Sequence, residues 1–156
     1  MKFVHENTGN CRKCDQIFDT YIGFYLPLRS DFKAFQKINP EAHISCAGRG
    51  EAEQEACFTA KTSKAHFGES AHNWNAAIDI FELGGADIKN LWESKWFQEK
   101  VKPWIDSLPQ YSWYGQPDAK FKELPHIEWK NWKTASLMGQ LIRVDRPVNN
   151  GPEDAA

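Results

Sequence analysis

Asp79 is the residue that first asks for an explanation. It stands inside Ala76-Ala-Ile-Asp-Ile-Phe-Glu-Leu83, a run whose apolar neighbours indicate a strand buried on both faces. An unpaired carboxylate in such a place is strongly unfavourable, so Asp79 needs a cation. His72 lies seven residues upstream, close enough to fold back beside it, and His126 opens a second apolar run in Glu123-Leu-Pro-His126-Ile-Glu-Trp129. Two imidazoles and one carboxylate, with a fourth position open to water, form a ligand set suited to catalytic zinc. Glu123 is three residues before His126. A carboxylate so placed can take a proton from water on the metal, whose pKa the ion brings down to about 7. That pairing makes a hydrolase. On the structural alternative, His72 and His126 are hydrogen-bonded core residues, which leaves Asp79 without its cation.

The elements that must position these residues are legible in part. Pro27 to Ile38 repeats apolar residues at 28, 32, 35 and 38, which predicts a helix stopped at Asn39-Pro40. Ala42 to Cys46 reads as a short strand closed by Gly48 and Gly50, and Glu51 to Ala60 as a helix. Ser63 to Asn75 has neither period and many turn formers, which predicts a long loop reaching the surface. A strand over 76–83 follows, then a helix with Trp92, Trp96, Phe97 and Val101 on one face, kinked or ended by Pro103. Tyr111 to Tyr114 and His126 to Trp132 read as two more strands around a Gly115 to Asp118 loop. Residues 1–25, with Cys11-Arg-Lys-Cys14, read as an irregular segment, and 149–156 as a disordered tail. The result is one α+β domain over 1–148, a small antiparallel sheet flanked by helices.

Composition agrees with one folded domain. The chain has 156 residues, 41% of them hydrophobic, with seven Trp, four Tyr and ten Phe, enough for a single core. A net charge of −2 gives no reason to expect nucleic acid as a partner. No stretch is apolar for the length that a membrane span requires. The N-terminus meets polar and acidic residues at once and has no apolar core of a secretory signal, so cytoplasmic synthesis is expected. In that setting the four Cys are read as free, buried or metal-bound.

Ser70-Ala-His72-Asn-Trp-Asn-Ala-Ala-Ile-Asp79 followed by Glu123-Leu-Pro-His126 resembles the zinc D,D-carboxypeptidase and L-alanyl-D-glutamate peptidase family, which includes VanX-like, VanY-like and phage endolysin enzymes. That family carries Ser-x-His, six residues and Asp, and later an acidic residue shortly before a His. Its upstream Gly-Tyr-Arg-Ser turn and Gln have a counterpart in Ala47-Gly48-Arg49-Gly50 and Gln54, with Gly48 where the Tyr stands. The similarity runs from about Ala42 to Trp129 in the family's order.

The resemblance implies a Hedgehog/D,D-peptidase-like fold, with zinc ligands His72, Asp79 and His126, a general base at Glu123, and Arg49 as an anchor for an oxyanion or carboxylate. Ser70 would hydrogen-bond substrate or the site. It implies a monomeric peptidase acting on the stem peptide of bacterial peptidoglycan. The expected type is a phage endolysin cutting the L-alanyl-D-glutamate bond after holin-type release, with a D-Ala-D-Ala carboxypeptidase or dipeptidase as the alternative. A non-catalytic zinc module of the same fold is the rival from another class, and Glu123 argues against it. Arg49 could otherwise pair with Glu51 or Glu53 at the surface. His66 reads as solvent-exposed, while Trp74 and Trp113 are expected beside the cleft. Cys11 and Cys14 have the spacing of a zinc knuckle, with His5, His43, Cys46 and Cys57 as further candidate ligands, but no second CxxC exists. Buried thiols remain the equal alternative.

Overall fold

Alternation along β2 (Ala77–Glu82) puts Ile78 and Ile80 on one face and Ala77, Asp79 and Phe81 on the other. The computed structural model describes residues 2–85, 91, 94–120 and 122–144, and β2 lies inside its four-stranded sheet. The other strands are β1 (Ala42–Cys46), β3 (Tyr111–Trp113) and β4 (His126–Trp129), in the order β1-β2-β4-β3. All neighbours are antiparallel. The register sets Asp79 directly opposite His126 on β4, so the two side chains share a face. A bulge between Ile44 and Cys46 brings Cys46 opposite Asp79 on the other side.

The apolar face of the sheet, with Ile44, Ile78, Ile80 and Ile127, forms one core with Leu28, Phe32 and Phe35 of α2 (Leu26–Ile38). Pro27 falls in the first turn of α2, where its missing N–H is no loss. Phe32 is fully buried, with its ring tilted against Phe18 at 5.9 Å between centroids. Phe32→Ala is therefore expected to destabilise the domain by about 3–5 kcal/mol, read as a lower urea midpoint at unchanged slope. α3 (Glu51–Thr59) buries Gln54 rather than an apolar stripe, and Glu53 closes its N-terminus through the Gly50 N–H.

Several expectations need correction. The segment 1–25 is not irregular throughout, because Arg12–Phe18 forms α1, which buries Cys14, Ile17 and Phe18 on one face. Cysteines and a buried Lys13 disguise that stripe in the sequence. The loop over 63–75 contains a 3₁₀ turn, Ala71–Trp74, and Ala71, His72, Asn73 and Asn75 are buried rather than at the surface. Asn75 takes the left-handed conformation at φ 58° and donates from Nδ2 to the carbonyls of Ile22 and Ile142, which fixes the end of the turn.

Pro103 does not end its helix. A π turn, Phe97–Val101, leads into α4 (Lys102–Asp106), and the Lys102 N–H bonds Phe97 O, five residues back, so the widened turn accommodates the proline ring. Trp92 lies outside the described residues, as do 145–148 and the tail 149–156. The last strand stops at Trp129, and Trp132 begins α5 (Trp132–Leu137). The fold class itself stands: a single α+β domain with a small antiparallel sheet.

Candidate metal and active site

The cleft beside β2 has a volume of about 370 Å³ and is lined by Arg49, Ser70, His72, Asp79, Glu123 and His126 among others. All six candidate residues therefore meet in one place. Asp79 is not enclosed on both sides as its neighbours suggested, since its side chain is 22% exposed and faces the cleft. Its Oδ1 lies 3.2 Å from His72 Nε2 and 3.4 Å from His126 Nδ1.

The far nitrogen of each ring is already committed. His72 Nδ1 is 2.7 Å from the Ala47 carbonyl, to which it can only donate. His126 Nε2 is 2.7 Å from Glu128 Oε1. Each neutral imidazole so fixed points a lone pair, not a hydrogen, at Asp79. Three acceptors turned on one another repel unless a cation lies between them. Ligand atoms around a tetrahedral zinc at ~2.0–2.1 Å stand about 3.3 Å apart, which is the spacing seen here from Asp79 to both rings. The chemistry of these donors suits zinc, and Cys46, His72 and Asp79 each bring a ligand atom within 4.8 Å of the other two, with His126 Nδ1 3.4 Å from Asp79 Oδ1.

Without a metal, protons must fill this role. Burial alone would lower His72, but the Asp79 charge outweighs it and pushes the imidazole up to about 10. His126 also rises, against the burial that opposes its charge, because Asp79 and Glu128 accept from it. Burial would raise Asp79, yet the two histidines hold it well below the usual carboxylate range.

The surroundings hold these side chains in place. Ser70 Oγ accepts from the His72 N–H at 3.3 Å and caps the 3₁₀ turn, so it positions His72. Arg49 is not a surface partner of Glu51 or Glu53. Its side chain is 14% exposed, with Nη2 3.4 Å from Asp79 Oδ2 and Nη1 3.2 Å from Gln54 Oε1. Arg49 thus occupies the Asp79 oxygen that the histidines leave free. Gln54, fully buried, also donates to Ser63 Oγ and the Ala65 carbonyl and accepts from Asn73, which joins α3 to the loop carrying His72. A side chain at Gly48 would meet the Tyr21 ring at 2.9 Å and Asn75 Oδ1 at 2.8 Å, so no tyrosine fits there.

Glu123 is 48% exposed at the cleft, and its Oε2 is 4.0 Å from His126 Nδ1. It borders the cluster without closing it. Cys46 Sγ lies 3.8 Å from His72 Nδ1 and 3.6 Å from Arg49 Nη2, beside the centre. His66 is exposed and pairs with Glu55. Trp113 is buried in the core, bonded through Nε1 to the Leu124 carbonyl, and Trp74 Nε1 bonds the Gly68 carbonyl. Neither tryptophan is among the residues lining the cleft.

Glu128 was missed from the sequence, although its spacing from His126 puts both on one face of β4. Its buried carboxylate accepts from His126 and from Trp132 Nε1, each at 2.7 Å. Burial would raise it, but these donors, His126 foremost, hold it below its ordinary value. Glu128→Ala releases the His126 ring and orphans the Trp132 N–H. Zinc affinity is expected to fall by about 10–100-fold, measured by chelator competition, while Glu128→Gln recovers part of the loss.

No family model matches the chain, and no curated protein sequence does. Solved structures do match. The L-Ala D-Glu endopeptidase ChiX of Serratia marcescens is similar over 79% of this chain and 90% of its own, with 16% identity and a TM-score of 0.60. DacB from Streptococcus pneumoniae D39 (15% identity, 78% and 76% of the two chains, TM-score 0.43) and the LdcB LD-carboxypeptidase (16%, 80% and 75%, TM-score 0.46) also match. With a sheet that sets Asp79 against His126 and a loop that returns His72 to them, the chain shares the fold of an L-Ala D-Glu endopeptidase.

Proposed function

We propose that this protein is a zinc-dependent peptidase of the bacterial peptidoglycan stem peptide, cutting between L-Ala and D-Glu as an endolysin-type enzyme. The observation that carries the reading is the convergence of His72 Nε2 and His126 Nδ1 on Asp79 Oδ1, with the other nitrogen of each ring tied back to Ala47 O or Glu128. The shared fold with ChiX supports the choice of bond.

His72, Asp79 and His126 would hold the ion, which supplies Lewis acidity and an acidified water when bound. Glu123, exposed at the cleft mouth, accepts the proton of the attacking water and can return it to the departing amine. Arg49 keeps Asp79 oriented and lines the cleft, where its positive charge can meet the charge growing on the scissile carbonyl or a substrate carboxylate.

Digestion of purified peptidoglycan with mass spectrometry of the released fragments tests the proposal. New N-terminal D-Glu is expected, whereas release of free D-Ala would reassign the bond and intact sacculi would overturn the activity. Arg49→Lys keeps the charge but loses the planar fork, so kcat/KM on a defined stem peptide should fall at least about tenfold with zinc content unchanged. Parental turnover in Arg49→Ala would remove Arg49 from the site.

A further inference from the structure

We propose that His5, Cys11, Cys14 and His43 form a second metal centre, a closed structural zinc site at the edge of β1, separate from the cleft. One ligand atom from each lies within 4.8 Å of all the others. Cys11 and Cys14 come from the start of α1, His43 from β1, and His5 from the arm that precedes α1. Sulfur and nitrogen ligands of a tetrahedral zinc stand about 3.5–3.6 Å apart, given bonds of ~2.3 and ~2.0–2.1 Å. The observed pairs are Cys11 Sγ to His5 Nδ1 at 3.6 Å, Cys14 Sγ to His5 Nδ1 at 3.7 Å and Cys14 Sγ to His43 Nδ1 at 3.4 Å.

The second layer is built for a thiolate. Cys11, Cys14 and His43 are fully buried, and Cys14 Sγ accepts from Gln36 Nε2 and from the Ile44 N–H, each at 3.5 Å. The same Gln36 amide donates to Ala42 O at 2.8 Å, which anchors it. Donors turned on sulfur stabilise its ionised form, the form that binds metal. Two thiolates and two neutral imidazoles offset the ion's charge and fill its coordination sphere, leaving no position for substrate. The centre therefore does no chemistry. It ties the N-terminal arm and α1 to β1, the strand that runs on to Ala47, whose carbonyl orients His72.

The test loads the full chain with Co²⁺ under reducing conditions. The chain has four cysteines, so a Cys46→Ser/Cys57→Ser double variant leaves Cys11 and Cys14 as its sole thiols. Two cobalt ions per chain and a thiolate-to-cobalt charge-transfer band in the near ultraviolet are expected in that variant. The band should persist, at one ion per chain, when Asp79→Asn is added. Cys14→Ser added to the double variant should lose most of the band, and its melting temperature should no longer respond to zinc removal as strongly as that of the double variant. Absence of the sulfur band in the double variant overturns the proposal by itself, even where Cys14→Ser does not fold.

Discussion

Asp79→Ala is expected to lose the catalytic metal and all measurable hydrolysis together. Asp79 Oδ1 lies within 3.4 Å of a nitrogen of each histidine, and its Oδ2 engages Arg49. Without it, His72 and the Arg49 guanidinium lose the carboxylate that lies between them and His126, and the proposed site loses its central anion. Asp79→Asn keeps the shape and removes the charge, so it separates loss of ligation from loss of packing, and its zinc affinity should also drop by orders of magnitude. The companion experiment strips metal from the parental protein with a chelator. Hydrolysis should stop and return on adding zinc, while full turnover in verified metal-free protein would sink the mechanism.

Glu123→Ala should behave in the opposite way toward the metal. Its carboxylate stands 4.0 Å from His126 and is half exposed, so it is not needed to hold the ion or the fold. Zinc content and the melting temperature should stay near parental values. Losing the proton acceptor should lower kcat by about 10²–10⁴-fold with little change in KM. Stopped-assay kinetics on a stem peptide, run with elemental analysis of the same preparation, checks both halves. A parental kcat would mean that another group takes the proton, and the exposed rim of the cleft would need a new candidate.

The two proposed centres share one support. β1 carries His43 near one end and leads to Ala47 at the other, where the backbone carbonyl holds the His72 ring. The bulge between Ile44 and Cys46 lies between them. Any change that displaces β1 should therefore disturb His72 before it disturbs His126, which is oriented from the opposite side of β2 by Glu128.

What the sequence determined by itself was local. The His72 to Asp79 and Glu123 to His126 spacings are short, so the residues that meet in the cleft could be named from their types and order alone. The helix α2 and the strands β1 and β2 were equally legible, because their apolar periods are undisturbed. α1 was hidden, since buried Cys and Lys side chains carry its inner face. Only tertiary structure decided that Arg49 bonds Asp79 instead of its sequence neighbours, because the sheet register and the bulge set which side chains meet across strands. The same holds for Cys11 and Cys14: a CxxC spacing names two ligands, and nothing in it says where the others come from. Chain packing chose His5 and His43 over Cys46 and Cys57, by laying α1 along the open edge of β1 where the Ile44 N–H needs an acceptor.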